Sequence, residues 1–165
     1  MRHIIVLITF VVFFSCKESR ESHIEETTVT EKLDDTKTVK QTKDELTAKG
    51  FQIFEYVDEK SKDTVLMQQY FIAFLKSGPN RSQNKAETDS LQILHLEHLG
   101  RMYELGYADI SGPFGDDGEI RGITIYNTPT LQMADSLANS DPMVKAGRLV
   151  IEMHPWWAAK GFPLR

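Results

Sequence analysis

His95 and His98 stand three residues apart in the stretch LHLEHLGRMYELG, Leu94 to Gly106. A neutral imidazole carries one donor and one acceptor, titrates near neutrality and ligates metals. A pair at this spacing therefore has three uses: holding a metal, moving protons, or filling a core with its hydrogen bonds satisfied. Three residues is close to one helical turn, so in a helix both rings lie near one face. A metal site needs a third ligand and usually a carboxylate or a further histidine. His154 is available, but a His-x-x-His pair alone specifies little, and no metal is expected.

The direction of that face narrows the choice. The sequence predicts a helix from Ala86 to about Gly106. At about 100° per residue, Ser90, Glu97, Arg101 and Glu104 form a wet side. Leu91, Leu94, Leu96, Leu99, Met102, Tyr103 and Leu105 spread over the opposite half. His95 falls near the middle of the apolar arc, and His98 nearer its edge. The first ring is thus aimed into the protein or a pocket, where each nitrogen needs a partner. A core histidine bonded to a carbonyl meets that need, and so does an acid–base histidine steadied by a carboxylate. The helix alone leaves both readings open.

Around this helix the pattern is strand-rich. Gly50 to Val57 (GFQIFEYV) alternates as a half-buried strand does, DEKSKD turns, and Thr64 to Lys76 returns as a second strand. Ser77 to Lys85 is a loop by its Gly, Pro and Asn content. After the helix, YADISGPFG and EIRGITIYN form a hairpin across Asp116, Asp117 and Gly118. Thr128 and Pro129 open a second helix as N-cap and first residue, with Leu131, Ala134, Leu137 and Ala138 on one side. DPMVKAG is a turn or short helical piece, RLVIEMH a last strand and PWWAAKGFPLR an aromatic tail. From Met67 onward the order is βαββαβ: an α+β, ferredoxin-like sheet with both helices on one face. Tyr70, Ile72 and Phe74 alternate with Phe71, Ala73 and Leu75, so both sheet faces need cover. A homodimer packing sheet on sheet, a dimeric α+β barrel, would supply it.

The N-terminus predicts a location. MRHIIVLITFVVFFSC has a positive start, an apolar run from Ile4 to Phe14 and a small residue before Cys16. The run is too short to span a bilayer, which takes about 20 apolar residues, and reads as a secretory signal over 1–15. Its end resembles the lipobox of bacterial lipoproteins, with Phe13 in place of the usual aliphatic residue. Cys16 would then carry lipid and anchor the chain to the membrane of the cell envelope. Residues 16–45 are polar and charged, without aromatics, and read as a flexible tether; the domain is expected over 46–165. A net charge of −5 with mixed signs gives no footprint for nucleic acid. One cysteine allows neither an intrachain disulfide nor a CxxC motif.

The segments GPNRSQ, LHLEHL, SGPFGDDGEIRGI and SDPMVKAGRLVIEMHPWW, in this order and at these separations, resemble the YCII-related (YciI-like) proteins over about residues 67–157. The resemblance implies a dimeric α+β barrel of two ferredoxin-like subunits. It also implies a His-Asp pair in a pocket between helix and sheet. The matching histidine is His95, about seventeen residues before Gly112-Pro113, and the matching aspartate is Asp141 of Asp141-Pro142; His98 does not match. Asp141 would fix the tautomer of His95, whose other nitrogen would face a small substrate. One branch of the family removes chloride from a chlorinated hydroquinone without a cofactor, so none is expected here. Fold does not set substrate. Arg81 and Arg121, near strand ends, are candidate substrate-binding groups able to clamp a carboxylate or phenolate, with surface or interface salt bridges as the competing use. Trp156 and Trp157 line a pocket or close a seam, and His154 is structural. The resulting expectation is an envelope-anchored, cofactor-independent enzyme of lyase or isomerase type; the alternative is a non-catalytic lipoprotein that binds a small ligand.

Overall fold

The computed structural model describes residues 37–162 and residue 164. The signal-like run, Cys16 and the tether up to residue 36 lie outside the described residues.

The first described element corrects the tether's expected end. A helix, α1 (Val39–Ala48), occupies residues expected to be flexible. It has no buried residue, so its apolar pattern is silent. Its start is written in polar residues instead: Thr38 Oγ1 accepts from the Gln41 amide while Gln41 Oε1 accepts from the Thr38 amide. This reciprocal cap satisfies two amides that the first turn leaves unpaired. Lys43 also reaches Glu55 at 3.1 Å.

β1 (Ile53–Val57) and β2 (Thr64–Ser77) pair antiparallel, Val57 opposite Thr64. The turn between them is held by Asp58, whose Oδ1 accepts from the amides of Lys60 and Ser61. β2 is the central strand. β5 (Leu149–Ala159) runs along one side of it, while β1 and then β4 (Ile120–Tyr126) pair in succession along the other. β3 (Ala108–Pro113) pairs with β4 at the outer edge. From β2 onward the order β5-β2-β4-β3, with helices α2 (Lys85–Glu104) and α3 (Leu131–Asn139) in the crossovers, is the ferredoxin-like α+β arrangement.

Strand parity divides the sheet. Phe71, Ala73 and Leu75 of β2 meet Met102 of α2, Ala134 and Ala138 of α3, Tyr126 of β4 and Leu149 of β5 in the core. Ile72, Phe74 and Ile123 stand on the opposite face and remain only half-buried. β2 is thus apolar on both faces, which explains its unbroken apolar run.

Three further expectations shift. The cap of α3 is Thr130, whose Oγ1 accepts from the Met133 amide, not Thr128. Thr128 is buried and donates to the Thr130 carbonyl, so Pro129 lies ahead of the helix. The last strand continues through the supposed aromatic tail, with Tyr70 opposite Trp156 and Gln69 opposite Trp157. Pro155 is tolerated because β5 is an edge strand among the described residues. The third concerns α2: Leu94, Leu96, Tyr103 and Leu105 are exposed, and its buried residues are His95, His98 and Met102. Apolar side chains surround this helix, so composition alone cannot pick the seam; the sheet accepts only the narrow stripe at the i, i+3, i+7 spacing.

Candidate functional site

Two elements distant in sequence meet at His95. α2 begins at an Asn84–Glu87 capping box, which fixes the phase of the helix, and the histidine lies on its sheet-facing stripe. The partner comes from the break between α3 and α4 (Pro142–Lys145). Ser140 closes α3, and Asp141 immediately caps α4, with Pro142 at the first helical position. The two oxygens of Asp141 divide their work. Oδ1 accepts from the Met143 amide at 2.7 Å, and Oδ2 lies 2.6 Å from His95 Nδ1. Asp141 is 2% exposed and His95 8%. A carboxylate only accepts, so Nδ1 carries a hydrogen, and in the neutral ring the lone pair is on Nε2. Nε2 has no hydrogen-bond partner among the described residues. This is a histidine anchored at one nitrogen with the other left to act as base or acceptor.

His98 lies beside this pair. It is 3% exposed, deeper than His95 and not at the edge of the buried arc as its sequence position suggests. Both of its ring nitrogens are buried without a partner. Burial pulls its pKa below the ordinary histidine value; the Asp141 charge acts the other way, while Arg101, His95 and Lys145 add to the lowering. Tyr126, on the helix-facing side of β4, is also buried, and desolvation, aided by the Asp141 charge, drives its phenol pKa upward. It remains an O–H donor. Strand alternation is the signal that would have placed Tyr126 here, since it shares a face with Thr124. Helical periodicity puts His98 only near the edge of the apolar arc, so its greater depth was not legible there.

The remaining expected residues do not converge on His95. Arg81 is exposed in the loop before α2. Arg121 folds onto its own turn, donating to the Gly118 carbonyl at 3.1 Å with Asp117 Oδ1 3.5 Å away. Neither arginine contacts His95 or Asp141. His154 is exposed, 2.9 Å from Glu152, with its ring edge-on to Phe74. Trp157 packs edge-on to Phe54 at 5.0 Å and Trp156 leans on Tyr70 at 6.2 Å. A surface depression of about 300 Å³ lies at the β3–β4 turn, lined by Phe114, Asp116, Gly118, Glu119 and Ile120, and includes neither member of the pair.

No family model matches the chain, and no curated protein matches it. Among solved structures, the chain is similar to the 5-chloro-2-hydroxyhydroquinone dehydrochlorinase from Burkholderia phenoliruptrix AC1100, in complex with 2,5-dihydroxybenzoquinone. Identity is 20%, the match covers 53% of this chain and 92% of the other, and the TM-score is 0.38.

Proposed function

We propose that this protein is a small-molecule enzyme of lyase or isomerase type, with His95 as general base and Asp141 as the group that orients it. One observation carries the reading: a buried 2.6 Å contact engages Nδ1 and leaves Nε2 without a hydrogen-bond partner among the described residues. That construction serves proton abstraction from a carbon acid or a hydroxyl, for which the imidazole itself is sufficient. Proton transfer by a positioned side chain contributes about 10²–10⁴ in rate. The test is a screen of small phenols and enol-carboxylates with the wild type and with His95→Asn. Turnover lost in the variant supports the role, and turnover retained by it refutes the role. Binding without any product by the wild type assigns the protein to ligand capture instead.

Two further parts belong to the same proposal. The half-buried Ile72, Phe74 and Ile123 face supports a homodimer packed sheet on sheet. The sequence around Cys16 supports a lipid anchor in the cell envelope; no helix among the described residues is long and apolar enough to cross a membrane. Radiolabelled palmitate incorporated by the wild type and not by Cys16→Ala is the expected result.

A further inference from the structure

We propose that the outward face of α2 is a contact between copies of this chain, in which two α2 helices pack antiparallel about a two-fold axis level with His98. The inference is independent of the sheet-on-sheet homodimer, because α2 lies across the sheet from Ile72, Phe74 and Ile123. A pair formed through the sheet still presents both helices, so the second contact joins copies beyond that pair.

The carrying observation is a stripe of α2 that its own chain leaves open. Ile93 is 59% exposed, Leu96 57% and Tyr103 68%. With Gly100 they recur at alternating steps of three and four residues, and at about 100° per residue they fall within about 80° of one another. That spacing is the seam of a two-stranded coiled coil, and it lies away from the buried His95, His98 and Met102. Gly100 is the informative member. It sits inside a 20-residue helix, where glycine is a poor helix former and alanine a good one. A Cβ there would meet nothing within 4 Å, so the fold of one copy does not require glycine. A second backbone approaching closely does.

What this face fits is itself. In an antiparallel pair with a two-fold axis, residues equally far on either side of the axis stand level. Ile93 and Tyr103 lie five residues either side of His98, and Leu96 and Gly100 lie two. Each Tyr103 ring therefore meets Ile93 of the second copy, and each Leu96 fills the place where Gly100 has no side chain. A parallel pair would set Gly100 against Gly100 and leave a gap. The flank agrees. Glu97 borders the stripe and Arg101 follows one turn on; both are exposed, and neither side chain makes a hydrogen bond or ion pair among the described residues. The same axis brings Glu97 of each copy to Arg101 of the other. The seam is about 15 Å long, short of the ~1,000 Å² of a permanent interface, so the contact is weak, with a dissociation constant on the order of 0.1–1 mM.

The test is disulfide trapping in the full chain carrying Cys16→Ala, which leaves the introduced cysteines as its only thiols. At about 0.3 mM, Ile93→Cys and Tyr103→Cys chains oxidised together are expected to form a linked pair. Neither is expected to link to itself, because like positions stand about 15 Å apart in this pairing. Gly100→Ala in both chains is expected to raise the melting temperature while cutting the mixed link about tenfold. Arg101→Glu in both should also cut it, and Glu97→Arg added to Arg101→Glu should restore it. Phe74→Glu should leave the link intact, since that residue belongs to the other sheet face. Linkage of either chain to itself would overturn the antiparallel pair, as parallel pairing or random collision gives that result. No mixed link, an unchanged link in Gly100→Ala, no recovery on charge exchange, or loss of the link in Phe74→Glu would each overturn the α2 contact while leaving the sheet-on-sheet pairing to its own test.

Discussion

Replacing Asp141 by alanine and by asparagine separates the two jobs of its carboxylate. Asp141→Ala removes the α4 cap, worth about 1 kcal/mol, and a hydrogen bond between a charged group and His95, worth about 1.5–3 kcal/mol. Both sites are buried, so water does not replace what is lost. The expected loss is about 3 kcal/mol, a large share of the roughly 5–15 kcal/mol that holds a domain together. At about 3–5 °C per kcal/mol for a domain of this size, the midpoint should fall by about 10 °C. Asp141→Asn behaves differently. Its side-chain oxygen still caps α4, so the loss should stay below about 1.5 kcal/mol. Its amide nitrogen, however, now faces His95 Nδ1 and donates to it. The ring hydrogen moves to Nε2, and the base becomes a donor. Urea unfolding followed by far-UV circular dichroism measures the first effect, and ring-nitrogen NMR of His95 the second. Turnover, once a substrate is in hand, should fall about 10²–10⁴-fold in Asp141→Asn. Equal stability of Asp141→Ala and wild type, or an unchanged His95 tautomer in Asp141→Asn, would refute the arrangement.

Acid should weaken the fold through His98. Its folded pKa lies below the unfolded value of 6.5, so the unfolded chain binds the proton first; this stability is present above about pH 6.5 and is lost as pH falls toward the folded pKa. Melting temperatures between pH 8 and pH 5 should decline less steeply in His98→Leu, and identical slopes would show that another group is responsible. Gly78→Ala should destabilise by about 2 kcal/mol in urea unfolding. Its Cβ would press on the Gly147 carbonyl oxygen and lie 2.8 Å from the Arg148 carbonyl carbon, and backbone there cannot step aside; a neutral result would mean the β2–β5 junction is loose. Sedimentation should show a dimer that Phe74→Glu converts to monomer, since Phe74 stands on the half-buried face; a wild-type monomer at micromolar concentration would remove the barrel.

Which elements were legible follows from which forces wrote them. The β3–β4 hairpin and the strand-helix-strand order come from alternation and turn chemistry, both local, and they are in the structure where the sequence puts them. α1 was hidden because its stabilising contacts are a polar cap and ion pairs, which look like linker composition. The last strand was cut short at Pro155 because a proline reads as a stop, and only pairing with β2 on a single edge makes it harmless.

For the site the division is similar. Spacing on α2 is enough to turn His95 inward, because helical periodicity is a property of the chain alone. The partner is not in that spacing: Asp141 lies 46 residues away and reaches the ring only because α3 ends where α4 begins and both pack against the sheet. The sequence by itself determined the strand order and the inward histidine. Asp141 was named beforehand only through a family resemblance; tertiary structure brings it to that ring, keeps the arginines apart from it and sets His98 deeper still. Contacts between distant elements depend on how the sheet and helices pack, and no local pattern encodes that packing.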